Sequence, residues 1–192
     1  MRGRGLAARR DRDGDEYAGR RVSSRVPGAA PVLLTPHGFL PMPPPPATKR
    51  PISVLVVVFT RAGELLLLDR VEPPHFWQSV TGSLRPGETP RAAALRELRE
   101  ETGLIGGPNL VDLHQSRLFP IKPAWRSRYR PGVCFNREHW FALALPARRH
   151  IRLAPEEHSR YRWLPAEQAA RLTGSWTNRD AIRLVASRYT GC

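Results

Sequence analysis

The chain has 192 residues, and its 31 lysines and arginines against 17 acidic residues give a formal net charge of +14. The length suffices for one domain with a substantial core, and no stretch approaches the roughly 20 apolar residues of a membrane helix. The charge alone would suggest nucleic acid, but Lys49 and Lys122 are the only lysines, the arginines are scattered, and no nucleic-acid-binding motif accompanies them. Nucleic acid is therefore not the expected partner, and part of the charge is read as steering a polyanionic small molecule. Cys134 and Cys192 lie far apart and offer neither a disulfide framework nor metal spacing, and the start shows no secretory pattern, so a cytoplasmic location is expected.

Residues 1–47 are dominated by Arg, Gly, Ser, Ala and Pro and end in Pro43-Pro44-Pro45-Pro46. They show no hydrophobic period, so disorder is expected, with short extended polyproline at the end. The true start is expected near Met42, with a single domain over 48–192. From Ile52 the pattern becomes that of strands and helices. Ile52–Phe59 reads as a buried strand, and Arg61-Ala62-Gly63 turns it into a second strand, Glu64–Arg70. A third strand is expected over Phe76–Thr81. Thr89 is a good N-cap and Pro90 suits a first helical turn, so a helix is expected over Pro90–Thr102, ended by Gly103 in a left-handed conformation. Strands follow at Leu110–Leu118, Trp140–Leu145 and Ser159–Leu164, then a short helix at Ala166–Leu172 and a longer one at Asn178–Tyr189. Helices interleaved with mixed strands predict an α/β/α sandwich.

The helix at 90–102 carries the chemistry. Glu97, Glu100 and Glu101 fall at i, i+3 and i+4 and so share one face. Three carboxylates there repel one another and any polyphosphate unless cations sit between them. Mg²⁺ is the natural choice, with Mn²⁺ as a substitute, because it prefers oxygen ligands and is commonly shared with substrate phosphates. The alternative is a solvated acidic face with i,i+4 partners such as Arg96 and Glu100. That alternative does not require the residues around the helix, where Gly82, Glu88, Arg96, Glu97, Glu100, Glu101 and Gly103 stand at fixed intervals. Seven such identities coincide by chance on the order of once in 10⁸ start positions.

Together they are every position of the Nudix box, and the chain is identified by resemblance as a Nudix hydrolase. The resemblance implies the Nudix fold, an α/β/α sandwich with a mixed sheet and a catalytic loop-helix-loop, and metal-assisted hydrolysis of a diphosphate linkage. It implies that Glu97 and Glu101 bind metal, that Glu100 is a third ligand or a helper, and that Glu88 and Arg96 pair to tie the loop to the helix. Gly82 and Gly87 are expected to let the loop turn tightly.

Other segments resemble one branch of the family, the bacterial dihydroneopterin triphosphate pyrophosphatases. They are Phe76-Trp77-Gln78-Ser79-Val80-Thr81-Gly82, Tyr161-Arg162-Trp163-Leu164 and Ser175-Trp176-Thr177-Asn178-Arg179. The likeness spans about residues 48 to 187. It implies removal of pyrophosphate from 7,8-dihydroneopterin triphosphate, a completing metal ligand at Glu157 (or Glu156), and substrate contacts at Lys49, Arg70, Thr81 and Ser175. Trp77 is a candidate stacking platform for a flat pterin. Trp125-Arg126-Ser127-Arg128-Tyr129-Arg130 is read as a lid over a triphosphate or as a solvated basic loop. A general nucleoside triphosphate pyrophosphatase shares the whole box and is the nearest alternative. A non-catalytic nucleotide- or RNA-binding domain is disfavoured, because all the box glutamates are present.

Overall fold

The unbroken apolar run of the first strand has a direct cause. In the computed structural model of the chain, which describes residues 48–190, β1 (Ile52–Thr60) is covered on both faces. Val54, Val56 and Val58 point into one core and Leu55, Val57 and Phe59 into the other. A strand buried on both sides reads as a continuous hydrophobic run rather than an alternating one. The first core is closed by α1 (Pro90–Thr102) through Ala93, Ala94 and Leu98. The second is closed by α2 (Ala166–Leu172) and α3 (Trp176–Val185) through Ala169, Ala170, Ala181, Ile182 and Val185. This is the expected α/β/α sandwich. The expectations for residues 1–47, disorder and a start near Met42, lie outside the described residues.

The sheet is mixed and seven-stranded. On one side β1 runs parallel to β6 (Phe135–Leu145), which pairs antiparallel with β5 (Leu110–Pro120). On the other side β1 has two partners. Near its end it meets β2 (Glu64–Arg70) at Phe59 opposite Leu65, and from Ser53 to Val56 it pairs with β4 (Val80–Ser83). β2 in turn holds β7 (His158–Pro165) and β3 (Trp77–Gln78). The sheet therefore splits between β1 and β2, and the functional groups gather at the split.

The single strand expected over Phe76–Thr81 is two. β3 bonds β2, the chain crosses at Ser79, and β4 bonds β1. The Ser79 hydroxyl donates to Asn178 Oδ1 of α3 at 3.0 Å, which anchors the crossing. A short strand-forming run reads the same whichever neighbour it pairs with, so the switch is invisible in sequence. β6 begins at Phe135 rather than Trp140, because Asn136 and Glu138 turn polar side chains inward. β5 runs on to Pro120 past a bulge at Leu113–His114, where Asp112 Oδ1 accepts the His114 N–H at 2.8 Å. α3 starts earlier than Asn178, at Trp176, and its regular part ends at Val185, with a wider turn at Ala186–Thr190. No helix of the described residues is long and apolar enough to cross a membrane.

Candidate active site

The loop and helix of the motif are built as local chemistry dictates. Thr89 Oγ1 accepts the Ala92 N–H at 3.2 Å, Pro90 opens α1, and Gly103 closes it at φ 72° with its N–H on Arg99 O. Glu88 Oε1 and Oε2 accept Arg96 Nε and Nη2 at 2.8 and 2.9 Å, and Oε2 also takes the Arg85 N–H at 2.8 Å. Arg96 Nη2 adds a bond to Ser83 O at 3.1 Å. This two-pronged pair is the expected tie between loop and helix, and its charge-assisted bonds are of the strong kind. It holds the Glu88 carboxyl down at about 2, chiefly through the Arg96 bond.

The three helix carboxylates differ in surroundings. Glu100 stands at the rim, its side chain 46 % exposed, and pairs with Arg85 and Arg96. Glu97 and Glu101 are buried, at 9 % and 1 % exposure. Burial pushes the Glu97 carboxyl up to about 7, although Arg96 Nη1 donates to its Oε1 at 2.6 Å. Glu101 is pushed well above the usual carboxylate range by burial and then by the charge of Glu157. Its Oε2 accepts the Thr81 N–H at 3.3 Å.

Gly82 explains how Glu97 fits. A Cβ at residue 82 would lie 1.8 Å from Glu97 Oε1. Gly82 is not among the positive-φ glycines, whereas Gly87, at φ 74°, is. Of the two expected turn glycines, only Gly87 meets a conformational demand. Gly82 leaves room for a carboxylate, and the turn expectation for it is corrected.

Glu101, Glu157 and His158 bring a ligand atom each to within 4.8 Å of one another. Glu157, the residue expected to complete the metal site, thus meets Glu101 of α1, and Glu156 is not in the group. His158 was not foreseen. It is 1 % exposed, and burial and then Arg70 lower its pKa to about 4, so it is neutral at physiological pH. Its Nε2 lies 3.3 Å from Glu101 Oε1, yet neither atom has a hydrogen-bond partner. Buried polar atoms left unpaired are costly, and these two facing atoms, with Glu157 beside them, suit a shared cation. The donor set, mostly oxygen, fits a divalent ion such as Mg²⁺. Glu101 would hold it from the helix, Glu157 from the segment before β7 and His158 from the start of β7, while Glu97, the other expected ligand, lines the adjoining cavity.

A cavity of about 470 Å³ opens beside these groups. Lys49, Arg70, Thr81 and Ser175, the expected substrate contacts, all line it, together with Glu97 and Glu157. Trp77 does not. It is 5 % exposed and packs in the core with Leu55, Trp140 and Ile182, while Arg160 and Arg162 flank its ring at 5.5 and 5.1 Å. Side chains alternate along an extended segment, so the neighbours Phe76 and Gln78 reach the cavity and Trp77 turns away; the stacking role expected for it is corrected. Aromatic walls come instead from Phe76, Phe119, Trp125, Tyr129 and Trp176. Trp125, Arg128 and Tyr129 stand on or beside a 3₁₀ turn, Pro123–Arg128, so the basic aromatic stretch forms wall rather than free loop. Asn136, Glu138 and Asn178, all buried, also line the cavity and were not foreseen. The one available signal was the two-residue spacing of Asn136, Glu138 and Trp140.

The NUDIX domain pattern matches residues 49–185, and the chain belongs to the Nudix hydrolase family, whose members act on phosphoanhydride bonds and generally use a divalent metal. It is 46 % identical over 138 residues to dihydroneopterin triphosphate diphosphatase of Escherichia coli, covering 70 % of this chain and 91 % of that one. It is 38 % identical over 135 residues to the enzyme of the same name from Haemophilus influenzae, covering 68 % and 84 %. The solved structure of the E. coli dihydroneopterin triphosphate pyrophosphohydrolase matches with a TM-score of 0.68 at 45 % identity, over 71 % of this chain and 95 % of that chain.

Proposed function

We propose that this protein hydrolyses 7,8-dihydroneopterin triphosphate to dihydroneopterin monophosphate and pyrophosphate, in the cytoplasm, as a step toward folate. The observation that carries this reading is the continuity of the cavity. It runs from Glu97 of α1 and Glu157 to an aromatic chamber of a size suited to one small ligand. The 46 % identical E. coli relative bears the corresponding name.

Lys49 and Arg70 hold phosphate oxygens at the mouth of the carboxylate cluster, Arg70 through a planar two-pronged contact. Thr81 and Ser175 orient the substrate between the phosphate and aromatic ends. Glu97, Glu101 and Glu157 would hold Mg²⁺, for which Mn²⁺ could substitute. The bound ion would neutralise phosphate charge and polarise the phosphoryl group. A carboxylate on the α1 face accepts a proton from the attacking water, the phosphorus–oxygen anhydride bond breaks, and pyrophosphate leaves. The side chains contribute positioning and charge neutralisation.

The test is pyrophosphate release from 7,8-dihydroneopterin triphosphate and from a panel of nucleoside triphosphates with Mg²⁺, with Glu101→Gln as control. A preference of tenfold or more in kcat/KM for the pterin supports the reading. Equal or better rates on dATP would make the protein a general nucleotide pyrophosphatase.

A further inference from the structure

Glu138 is a buried carboxylate that the hydrolytic chemistry leaves unused. It stands on β6, 6 % exposed, facing the cavity at the side away from α1, with Asn136 two residues before it on the same face. Its Oε1 accepts the Trp140 Nε1–H at 3.1 Å. No ion pair among the described residues includes Glu138. Asn136 is 3 % exposed; its Nδ2 donates to Ser53 Oγ at 2.6 Å, while its Oδ1 is buried with no partner. A carboxylate without a cation and an amide oxygen without a donor are both costly when left so. Two acceptors side by side on a cavity wall call for a ligand that brings donors.

A 2-amino-4-oxo pyrimidine edge, shared by pterin and guanine, offers an adjacent ring N–H and exocyclic amine. Those two parallel donors suit the two oxygens of one carboxylate, as the prongs of a guanidinium do. The second amine hydrogen is left for a neighbouring acceptor. Adenine presents a ring acceptor beside its amine, which a carboxylate repels, and hypoxanthine has the ring N–H without the amine. We propose that Glu138, with Asn136 beside it, reads the 2-amino-4-oxo edge of the substrate's bicyclic head and so determines which triphosphates are accepted. This rests on the reading of the cavity as a triphosphate site. Burial raises the Glu138 carboxyl above its usual range, against the pull of Trp140 and then Thr177; a ligand bringing two N–H donors favours the ionised acceptor.

The experiment is calorimetric binding of neopterin, GMP and IMP to the full chain with Mg²⁺. None of the three carries an anhydride to hydrolyse, and GMP differs from IMP only in the 2-amino group. The wild type is expected to bind neopterin and GMP about 10- to 100-fold more tightly than IMP. Glu138→Gln, which keeps an acceptor for Trp140 but loses one for the ligand, should narrow the GMP-to-IMP gap below threefold. Equal binding of GMP and IMP by the wild type overturns the proposal whether or not the variant folds. So does a gap that survives in a folded Glu138→Gln, or a wild type that binds neither neopterin nor GMP. Turnover of 7,8-dihydroneopterin triphosphate is scored separately. Its absence beside a clear GMP-to-IMP gap would remove the proposed reaction and leave the edge-reading intact; turnover without the gap would do the reverse.

Discussion

Two residues at the split in the sheet show how finely the carboxylate cluster is fitted. Gly82 lies where any Cβ would meet the Glu97 carboxylate, and the atoms it would strike are the far part of a flexible side chain. Gly82→Ala should therefore displace Glu97 and spare the fold. The expected result is a loss in metal affinity of about 10- to 100-fold, of the size seen when groups that orient ligands are lost, with a melting temperature within a few degrees of wild type. An unchanged Mg²⁺ dependence of activity would show that Glu97 does not need its present position. Glu101 is more central, buried between Thr81 and His158. Glu101→Gln should keep the fold and lower turnover by at least about a thousandfold, in the range expected when charge stabilisation at the reacting centre is removed. Near-normal rates at saturating Mg²⁺ would contradict its place in the metal site.

The loop and α1 act as one element because the Glu88–Arg96 ion pair joins them, with the more exposed Arg85–Glu100 pair at the rim. Glu88 and Arg96 have side chains 13 % and 15 % exposed, which shields their attraction from solvent more than at a surface pair. The Glu88 pKa falls from 4.5 to about 2 on folding. A depressed carboxylate stabilises the fold fully above its unfolded value and loses that contribution as pH falls toward the folded one. The wild type should thus exceed Glu88→Gln in stability near neutrality, by on the order of 1–2 kcal/mol after solvent screening. The difference should shrink between pH 4.5 and about 2. Denaturant midpoints of both proteins across that range check it; a pH-independent difference would mean the pair contributes by packing alone. Helix caps at Thr89 and Gly103 set the ends of the element, and neither touches the cavity.

For the molecule as a whole, metal, protons and stability are linked. Without metal, folding raises the Glu97 carboxyl from 4.5 to about 7 and raises Glu101 as well. The metal-free fold therefore binds extra protons and loses stability as pH rises from 4.5 through about 7. Ligation needs the ionised forms, so Mg²⁺ binding should release protons, and its affinity should climb by up to about tenfold per pH unit per proton released below neutrality. Calorimetry in buffers of different ionisation enthalpy would measure that release, and a zero count would refute the linkage. We also propose that residues 48–192 form the whole catalytic domain. Deleting residues 1–41 should leave kcat/KM within about twofold, the scale of a change remote from the site; a large loss would mean that the extension reaches the cavity.

Spacing along single elements was legible in the sequence because it depends only on local geometry. Helical periodicity put Glu97 and Glu101 on one face, cap chemistry set Thr89 and Gly103, and the apolar run Ile52–Phe59 announced a buried strand. The resemblance supplied Glu157, Lys49 and Arg70, which no local pattern could have joined to the helix. What remained closed was whatever depends on which strand lies beside which. The partner switch at Ser79, the turning of Trp77 into the core, and the inward polar pair Asn136 and Glu138 all follow from pairings between segments far apart in the chain. So does the reason for Gly82, whose neighbour across space is Glu97. A sequence records the chemistry each residue can offer, and the packing of distant strands selects which of those offers face the ligand.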